Sequence, residues 1–229
     1  MDVSVAITTF NGEKYLNDQL DSILLQLNEN DEIIISDDGS TDSTLEIISS
    51  YISKDNRIKL YTNKRLGIAK NFQYVIEKCS KELIFLSDQD DIWTDDKIEL
   101  VKEAFIKSNA KVVLHNGVKF FENDNDIEEC LIPKMRQGVL RNILKSSYWG
   151  CCIALRREFV KVILPFPEGI VAYDQWIGLM AEKGQVSEFI EKPLIRHRVH
   201  ENNVSKALAF NKKLIFRVNI ITRYIKHIL

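Results

Sequence analysis

Glu32-Ile33-Ile34-Ile35-Ser36-Asp37-Asp38-Gly39-Ser40-Thr41-Asp42 is the stretch that decides how this chain folds. Three consecutive isoleucines without polar alternation fit a strand buried on both faces, and such strands belong to parallel sheets covered by helices. The run stops at two acids, a glycine and hydroxyl residues, all turn and cap formers, ahead of a helix expected from about Ser43 to Ile52. A buried strand that ends in adjacent carboxylates delivers them to the crevice where α/β sheets bind ligands.

The same unit recurs on either side. Val3 to Thr8 is a β-branched run ending in Thr8-Thr9-Phe10-Asn11-Gly12, and Tyr15, Leu16, Leu20, Ile23, Leu24 and Leu27 then fall at helical spacing. Downstream, Arg57 to Tyr61 predicts a third strand, Ile68 to Cys79 a third helix, and Glu82 to Ser87 a fourth buried strand closed by Asp88-Gln89-Asp90-Asp91. A helix from about Asp95 to Lys107 follows. Strands alternating with helices at this spacing specify βαβ units, hence an α/β fold with a mostly parallel central sheet flanked by helices. Beyond about residue 110 the pattern loosens into a strand from Lys111 to Asn116, an acidic loop from Glu122 to Glu129, a short helix near Val139–Ser146, and mixed structure to about His197. Asn123-Asp124-Asn125-Asp126 lacks the glycine and terminal glutamate of a calcium loop and reads as solvated.

Length and composition bound the answer. A chain of 229 residues with 45% hydrophobic and 28% charged residues is long enough for one α/β domain and has the make-up of a globular protein. Four cysteines without CxxC spacing point to core positions rather than to disulfides or zinc. Met1-Asp2-Val3-Ser4-Val5 has neither the basic nor the apolar region of a signal peptide, and no run approaches the roughly 18 apolar residues of a membrane span, so a cytoplasmic location is expected.

Charge is unevenly placed. The net value is −2, but no acid follows Glu201 whereas six lysines and arginines do, leaving about −8 on residues 1–201. No nucleic acid is expected as a partner. In the tail, Leu214, Val218, Ile221, Ile225 and Ile228 form one helical stripe with Lys213, Arg217, Arg223 and Lys226 off it, which predicts a helix lying on the inner face of the plasma membrane. Packing on its own domain, or on the second subunit of a homodimer, is the alternative.

The chain contains neither G-x-x-x-x-G-K-[ST] nor G-x-G-x-x-G, so a P-loop NTPase or a Rossmann dehydrogenase is disfavoured. It offers carboxylates at strand ends instead, which suit hydroxyl and base contacts and hard cations. Asp88, Asp90 and Asp91 repel one another unless something positive sits among them, and Mg²⁺ or Mn²⁺ shared with a diphosphate would satisfy both partners. The plainer alternatives are a helix cap at Asp90 or Asp91 and a turn with an N-cap at Asp37-Asp38.

Val5-Ala6-Ile7-Thr8-Thr9-Phe10-Asn11-Gly12, Ile35 through Asp42, Asn63-Lys64-Arg65-Leu66-Gly67-Ile68-Ala69-Lys70-Asn71 and Phe85-Leu86-Ser87-Asp88-Gln89-Asp90-Asp91-Ile92-Trp93 together resemble the ordered motifs of family 2 glycosyltransferases. The resemblance spans most of residues 1–200. It implies the GT-A fold, a Rossmann-like sheet with a C-terminal acceptor-binding portion, and inversion at the anomeric carbon. Residues 1–205 would form the catalytic domain, with a nucleotide-sugar half to about 110 and an acceptor half over 111–205, followed by the basic helix 206–229.

Carried over by position, Thr8, Thr9 and Phe10 would line the nucleotide pocket, Asp37 and Asp38 would contact base and ribose, and Lys70 matches a basic position near the nucleotide. Asp88 and Asp90 resemble the DxD acids that meet ribose and metal, Asp90 being the main ligand, and His200 in Arg198-x-His200-x-x-Asn203 would complete the shell around Mn²⁺ or Mg²⁺. Trp149-Gly150 is similar to the strand beside the acceptor site. Tyr173-Asp174-Gln175-Trp176 resembles the motif whose Asp is the general base, with Tyr173 and Trp176 suited to stacking on acceptor sugars.

The Gln-x-x-Arg-Trp motif and transmembrane helices of processive members are missing, so a single addition is expected. The wording Ser-Asp-Gln-Asp-Asp-Ile-Trp resembles rhamnosyltransferase-like bacterial members, which implies dTDP-rhamnose or a UDP-hexose as donor. A saccharide or lipid-linked saccharide in surface polysaccharide synthesis would be the acceptor. The competing readings are a nucleotidyltransferase, which would need a Gly-rich basic loop in place of Thr8-Thr9-Phe10-Asn11-Gly12-Glu13, and an inactive sugar-nucleotide-binding module.

Overall fold

A computed structural model of the chain describes residues 1–121, 124–201, 203 and 210–228, with 124–128, 210–216 and 228 described by backbone alone. In chain order the first half runs β1 (Val3–Thr9), α1 (Leu16–Leu24), β2 (Glu32–Asp37), α2 (Thr44–Ile52), β3 (Ile58–Thr62), α3 (Ile68–Lys78), β4 (Leu83–Ser87), β5 (Ile92–Trp93) and α4 (Lys97–Lys107). The second half continues with β6 (Val112–Phe121), β7 (Asp124–Cys130), α5 (Val139–Leu144), β8 (Ile153–Arg156), α6 (Val160–Ile163), α7 (Tyr173–Gly184), β9 (Ser187–Val199) and α8 (Phe210–Ile228).

The strands form one sheet in the order β3-β2-β1-β4-β8-β6-β9-β5, with β7 added alongside β6. The first four pair in parallel, Ile7 facing Ile35 across β1 and β2. All six residues of β2 are buried, as its unalternated isoleucines require. Burying Ile33, Ile34 and Ile35 stabilises the fold by roughly 1.5–3 kcal/mol each, so an acid at Ile34 would break the central layer.

The α/β sheet with flanking helices is as expected; it is parallel through β3-β2-β1-β4 and mixed beyond, because β8 enters antiparallel between β4 and β6 while β9 runs parallel to β6 and antiparallel to β5. One expectation needs correction. The acidic segment expected as a loop is largely strand, with β7 pairing antiparallel to β6 and register pairs Val118–Cys130 and Phe121–Asp124. Acids on a strand at the margin of a sheet discourage further strand addition. Residues 122 and 123 lie outside the described set, and so does Lys206.

The cysteines are free; Cys79, Cys151 and Cys152 are core residues as expected, whereas Cys130 is exposed. No helix among the described residues is long and apolar enough to cross a membrane. Helix α8 packs on its own domain, and only Ile221 of the stripe read from sequence is seen to take part. Ile220 is buried, Ile221 and Tyr224 pack against the core, Arg217 donates to the Leu144 carbonyl at 2.8 Å, and the His227 ring meets Trp176 edge-on. Val218 and Ile225 of that stripe are exposed. The side chains of Leu214 and Ile228 lie outside the described residues.

Candidate active site

The parallel arrangement brings the C-terminal ends of β1, β2 and β4 to one edge of the sheet, where the acids diverge in what they do. Asp37 is fully buried; its Oδ1 accepts from the Gly39 and Ser40 backbone N–H groups and its Oδ2 from the Thr9 and Ser40 hydroxyls. A carboxylate has about four acceptor sites, so Asp37 is spent on the turn. The expectation that Asp37 meets base or ribose is corrected on that ground. Thr9 is corrected with it, since its side chain is buried against Asp37. Gly39, at φ +85°, occupies the left-handed position that this turn needs.

Asp38 accepts from Leu66 N at 2.6 Å and Gly67 N at 2.8 Å, one on each oxygen, which leaves it lone pairs for a ligand. Thr8 is half-buried at the strand end, and Lys70 is exposed on the first turn of α3. Phe10 is held more firmly than its sequence context implied. Gln89 accepts from Phe10 N at 2.8 Å and donates to Phe10 O at 3.1 Å, while the Arg65 guanidinium sits 4.0 Å from the ring centre. Arg65 has φ +58°, uncommon for a residue with a side chain. Its role was invisible in sequence because it depends on where Asp38 pins the loop.

In the acidic tetrapeptide Asp88 and Asp90 keep partial exposure while Asp91 is fully buried. Burial, then the charges of Asp91 and Asp90, push Asp88 up to about 8, and Asp174 acts on it in the same direction. Asp90 is raised as well, by burial and then by Asp91, against the opposing hydrogen bond from His200. His200 Nε2 lies 2.9 Å from Asp90 Oδ2, and the His200 ring lies on Tyr15 with centroids 4.7 Å apart. Asp88, Asp90 and His200 thus offer carboxylate oxygens and one imidazole, a donor set whose chemistry fits Mn²⁺ or Mg²⁺.

Asp91 turns inward. It is fully buried, and its Oδ1 accepts from His197 Nδ1 at 2.8 Å and from Arg198 N at 3.2 Å, while its Oδ2 has no partner among the described residues. Burial alone would lower His197, but the charge and hydrogen bond of Asp91 outweigh it and push the imidazole up to about 12. Cys151 lies close enough to complete a three-ligand cluster with this pair. The imidazolium already neutralises Asp91, so the pair needs no ion. Arg198 adds three anchors, donating to Asp90 O and Asp18 Oδ2 and covering the Tyr15 ring at 4.6 Å.

In the second half of the chain Asp174 stands in the first turn of α7, with Ala172 as N-cap, so Asp174 does not cap the helix. Its Oδ1 accepts from Gln175 N at 2.8 Å. Burial raises its carboxyl to about 6 against hydrogen bonds from the Gln175, Asp174 and Gly150 backbone. The Tyr173 ring is buried and stacked on Phe72 at 4.1 Å, with its hydroxyl against Gly150, where no side chain would fit. Trp176 is fully buried, its indole donating to Ile163 O at 3.0 Å. Neither ring is open to stack on a sugar, and both expected acceptor contacts are corrected to packing. Trp149 is half-buried, its ring edge-on to His197.

The sequence matches the description "Glycosyl transferase family 2" over residues 4–164. The chain belongs to glycosyl transferase family 2. Among its relatives in that family, the dTDP-rhamnosyl transferase RfbG of Shigella flexneri is 30% identical over 223 residues, covering 90% of this chain and 76% of RfbG. The fold is shared with solved structures. Staphylococcus aureus TarS, solved in complex with UDP-GlcNAc, superposes with a TM-score of 0.75 at 21% identity over 97% of this chain and 67% of that one. The Pyrobaculum calidifontis mannosyltransferase PcManGT, solved with GDP-Man and Mn²⁺, gives 0.61 at 17% identity over 98% and 62%. The curled mixed sheet with its flanking helices is the GT-A fold, and the protein is a glycosyltransferase of this family.

Proposed function

We propose that the chain is a metal-dependent, inverting, non-processive transferase that moves one sugar from a nucleotide-sugar to a saccharide or lipid-linked saccharide acceptor, as in bacterial surface polysaccharide synthesis. One observation carries the reading. The Asp90–His200 pair at 2.9 Å and the raised carboxyl of Asp174, whose charge is felt at Asp88, come together from three distant parts of the chain. The dTDP-rhamnosyl description of RfbG favours dTDP-rhamnose over UDP-hexoses as donor. Residues up to about 110 would serve the donor and 111–205 the acceptor.

In this reading Asp38, Thr8 and Phe10, with Lys70 at the rim, receive the nucleoside, and Asp88 meets the ribose. A divalent ion held by Asp90, Asp88 and His200 would supply positive charge for the departing diphosphate. Asp174 accepts the proton of the acceptor hydroxyl as that oxygen bonds to the anomeric carbon and the bond to the diphosphate breaks. A carboxyl near 6 is mostly ionised at neutral pH and still basic enough to take that proton. Trp149 and Gly150 border the acceptor.

A panel of dTDP-, UDP- and GDP-sugars tested by thermal shift and donor turnover, with Mn²⁺ and with excess chelator, decides the matter, since a ligand that binds only the folded state raises its melting temperature. dTDP-rhamnose with Mn²⁺ should raise the melting temperature and be consumed. Full turnover in chelator would remove the metal, and a panel without effect would remove the donor class.

A further inference from the structure

The two longest stretches of this chain without an acid are both basic. Leu131 to Arg157 carries Lys134, Arg136, Arg141, Lys145, Arg156 and Arg157 without a single Asp or Glu, and everything after Glu201 is likewise free of acids. They lie far apart in a sequence whose remainder is acidic. The fold puts them side by side, because α5 from the first packs against α8 from the second and Arg217 closes the contact on the Leu144 carbonyl.

The outer surface of that pair is both apolar and cationic. Leu140 is 78% and Leu144 63% exposed on α5, and Val218 is 56% exposed on α8, with Ile225 two turns further along the same side. Arg141 and Lys145 are exposed among the leucines. Glu182, the acid next to α5, is turned into the fold, accepting from Gly138 N, the Tyr148 hydroxyl and the Ser187 hydroxyl. Leucines interleaved with unneutralised cations form the pattern that inserts at a lipid interface while its charges meet anionic headgroups. A second copy of this chain fits poorly, since a two-fold contact through this face would set its cations against themselves.

We propose that the joint outer face of α5 and α8 docks on an anionic lipid bilayer. The face is tied to the candidate base, because Gln175, the residue after Asp174, donates through its amide to the Asn142 carbonyl of α5 at 2.7 Å. Docking there would hold the acceptor side of the site next to the membrane. That purpose rests on the lipid-linked acceptor reading given above; the binding itself does not.

The test is flotation of the full chain with vesicles of phosphatidylglycerol and phosphatidylcholine, and with phosphatidylcholine alone. The wild type should float with the anionic vesicles, lose this at high salt, and ignore the neutral ones. Arg141→Glu with Lys145→Glu, and separately Leu140→Ser with Leu144→Ser, should each reduce flotation roughly ten-fold or more while donor turnover stays at the wild-type level. Val218→Ser with Ile225→Ser gives the same reading from α8 should an α5 variant misfold. Undiminished flotation of all three variants would overturn the proposal, as would equal binding to neutral vesicles. So would a wild-type dimer that dissociates in these variants while flotation persists. Vesicle binding without turnover of any nucleotide-sugar would leave the docking face in place and remove the enzymatic reading instead.

Discussion

The ends of β2 and β4 present the same residue type in the same setting, and they differ in how many donors surround it. Asp37 after β2 has two backbone N–H groups and two hydroxyls, and Asp38 has two backbone N–H groups. Glu32 at the start of β2 has the Ser80 amide, two serine hydroxyls and Lys59. Burial alone would raise Glu32, yet these bonds hold it at about 2. Asp88 and Asp90 after β4 are crowded by other acids and raised, and Asp174 opposite them is raised too. A carboxylate whose donors outweigh its burial, like Glu32, builds the fold, and one whose burial and acidic neighbours outweigh its donors, like Asp88, Asp90 and Asp174, is held ready for a cation or a proton. That balance, more than position, separates structure from chemistry here.

That comparison can be broken most sharply at Asp174. Asp174→Asn should lower kcat roughly 10²–10⁴-fold with little change in donor KM. The same variant should gain stability at neutral pH. The raised carboxyl costs the fold energy fully above about pH 6 and not at all below 3.8, so removing the charge returns about 1–2 kcal/mol, readable by chemical denaturation. Normal turnover by a folded Asp174→Asn protein would move the base elsewhere.

Asp90→Asn should cost about 10²-fold in turnover and abolish the Mn²⁺ dependence of donor binding, because one hard ligand and one charge are lost. Titration calorimetry with Mn²⁺ present and absent reads this directly. At the saturated end, Glu32→Gln should leave kcat unchanged and reduce stability by about 2–3 kcal/mol at neutral pH. The depressed carboxyl contributes fully above 4.5, and its contribution disappears as the pH falls toward 2, so wild type and variant should converge in acid melts. A kcat defect in Glu32→Gln would blur the two classes. The smallest effect is the acid limb of the pH–rate profile. Between pH 7 and 6 kcat/KM should fall only about two-fold as Asp174 takes up its proton, then about five-fold to pH 5 and about ten-fold per unit below that.

The central layer was legible because its signal is local: Ile33 to Ile35 without alternation can hardly be anything but a strand covered on both faces. Strand β7 was not, since its strand character comes from pairing with β6 and its own residues favour a loop. Asp37 and Asp38 are indistinguishable as letters; their fates depend on Thr9, Ser40 and the loop at Leu66. Trp176 beside an acid resembles a sugar platform, but α7 is buried on almost every side, and periodicity cannot then say which ring reaches solvent. His197 went unnoticed because its partner, Asp91, lies 106 positions away.

The contact between His197 and Asp91 also fixes how the two halves can come apart. Together with β8 lodged between β4 and β6, it buckles the end of the second half of the chain to the edge of the first, so the two share no open seam along which to peel apart. Thermal denaturation should therefore follow a single cooperative transition. A backbone cut in the segment between β7 and α5 should yield two pieces that stay associated until both melt.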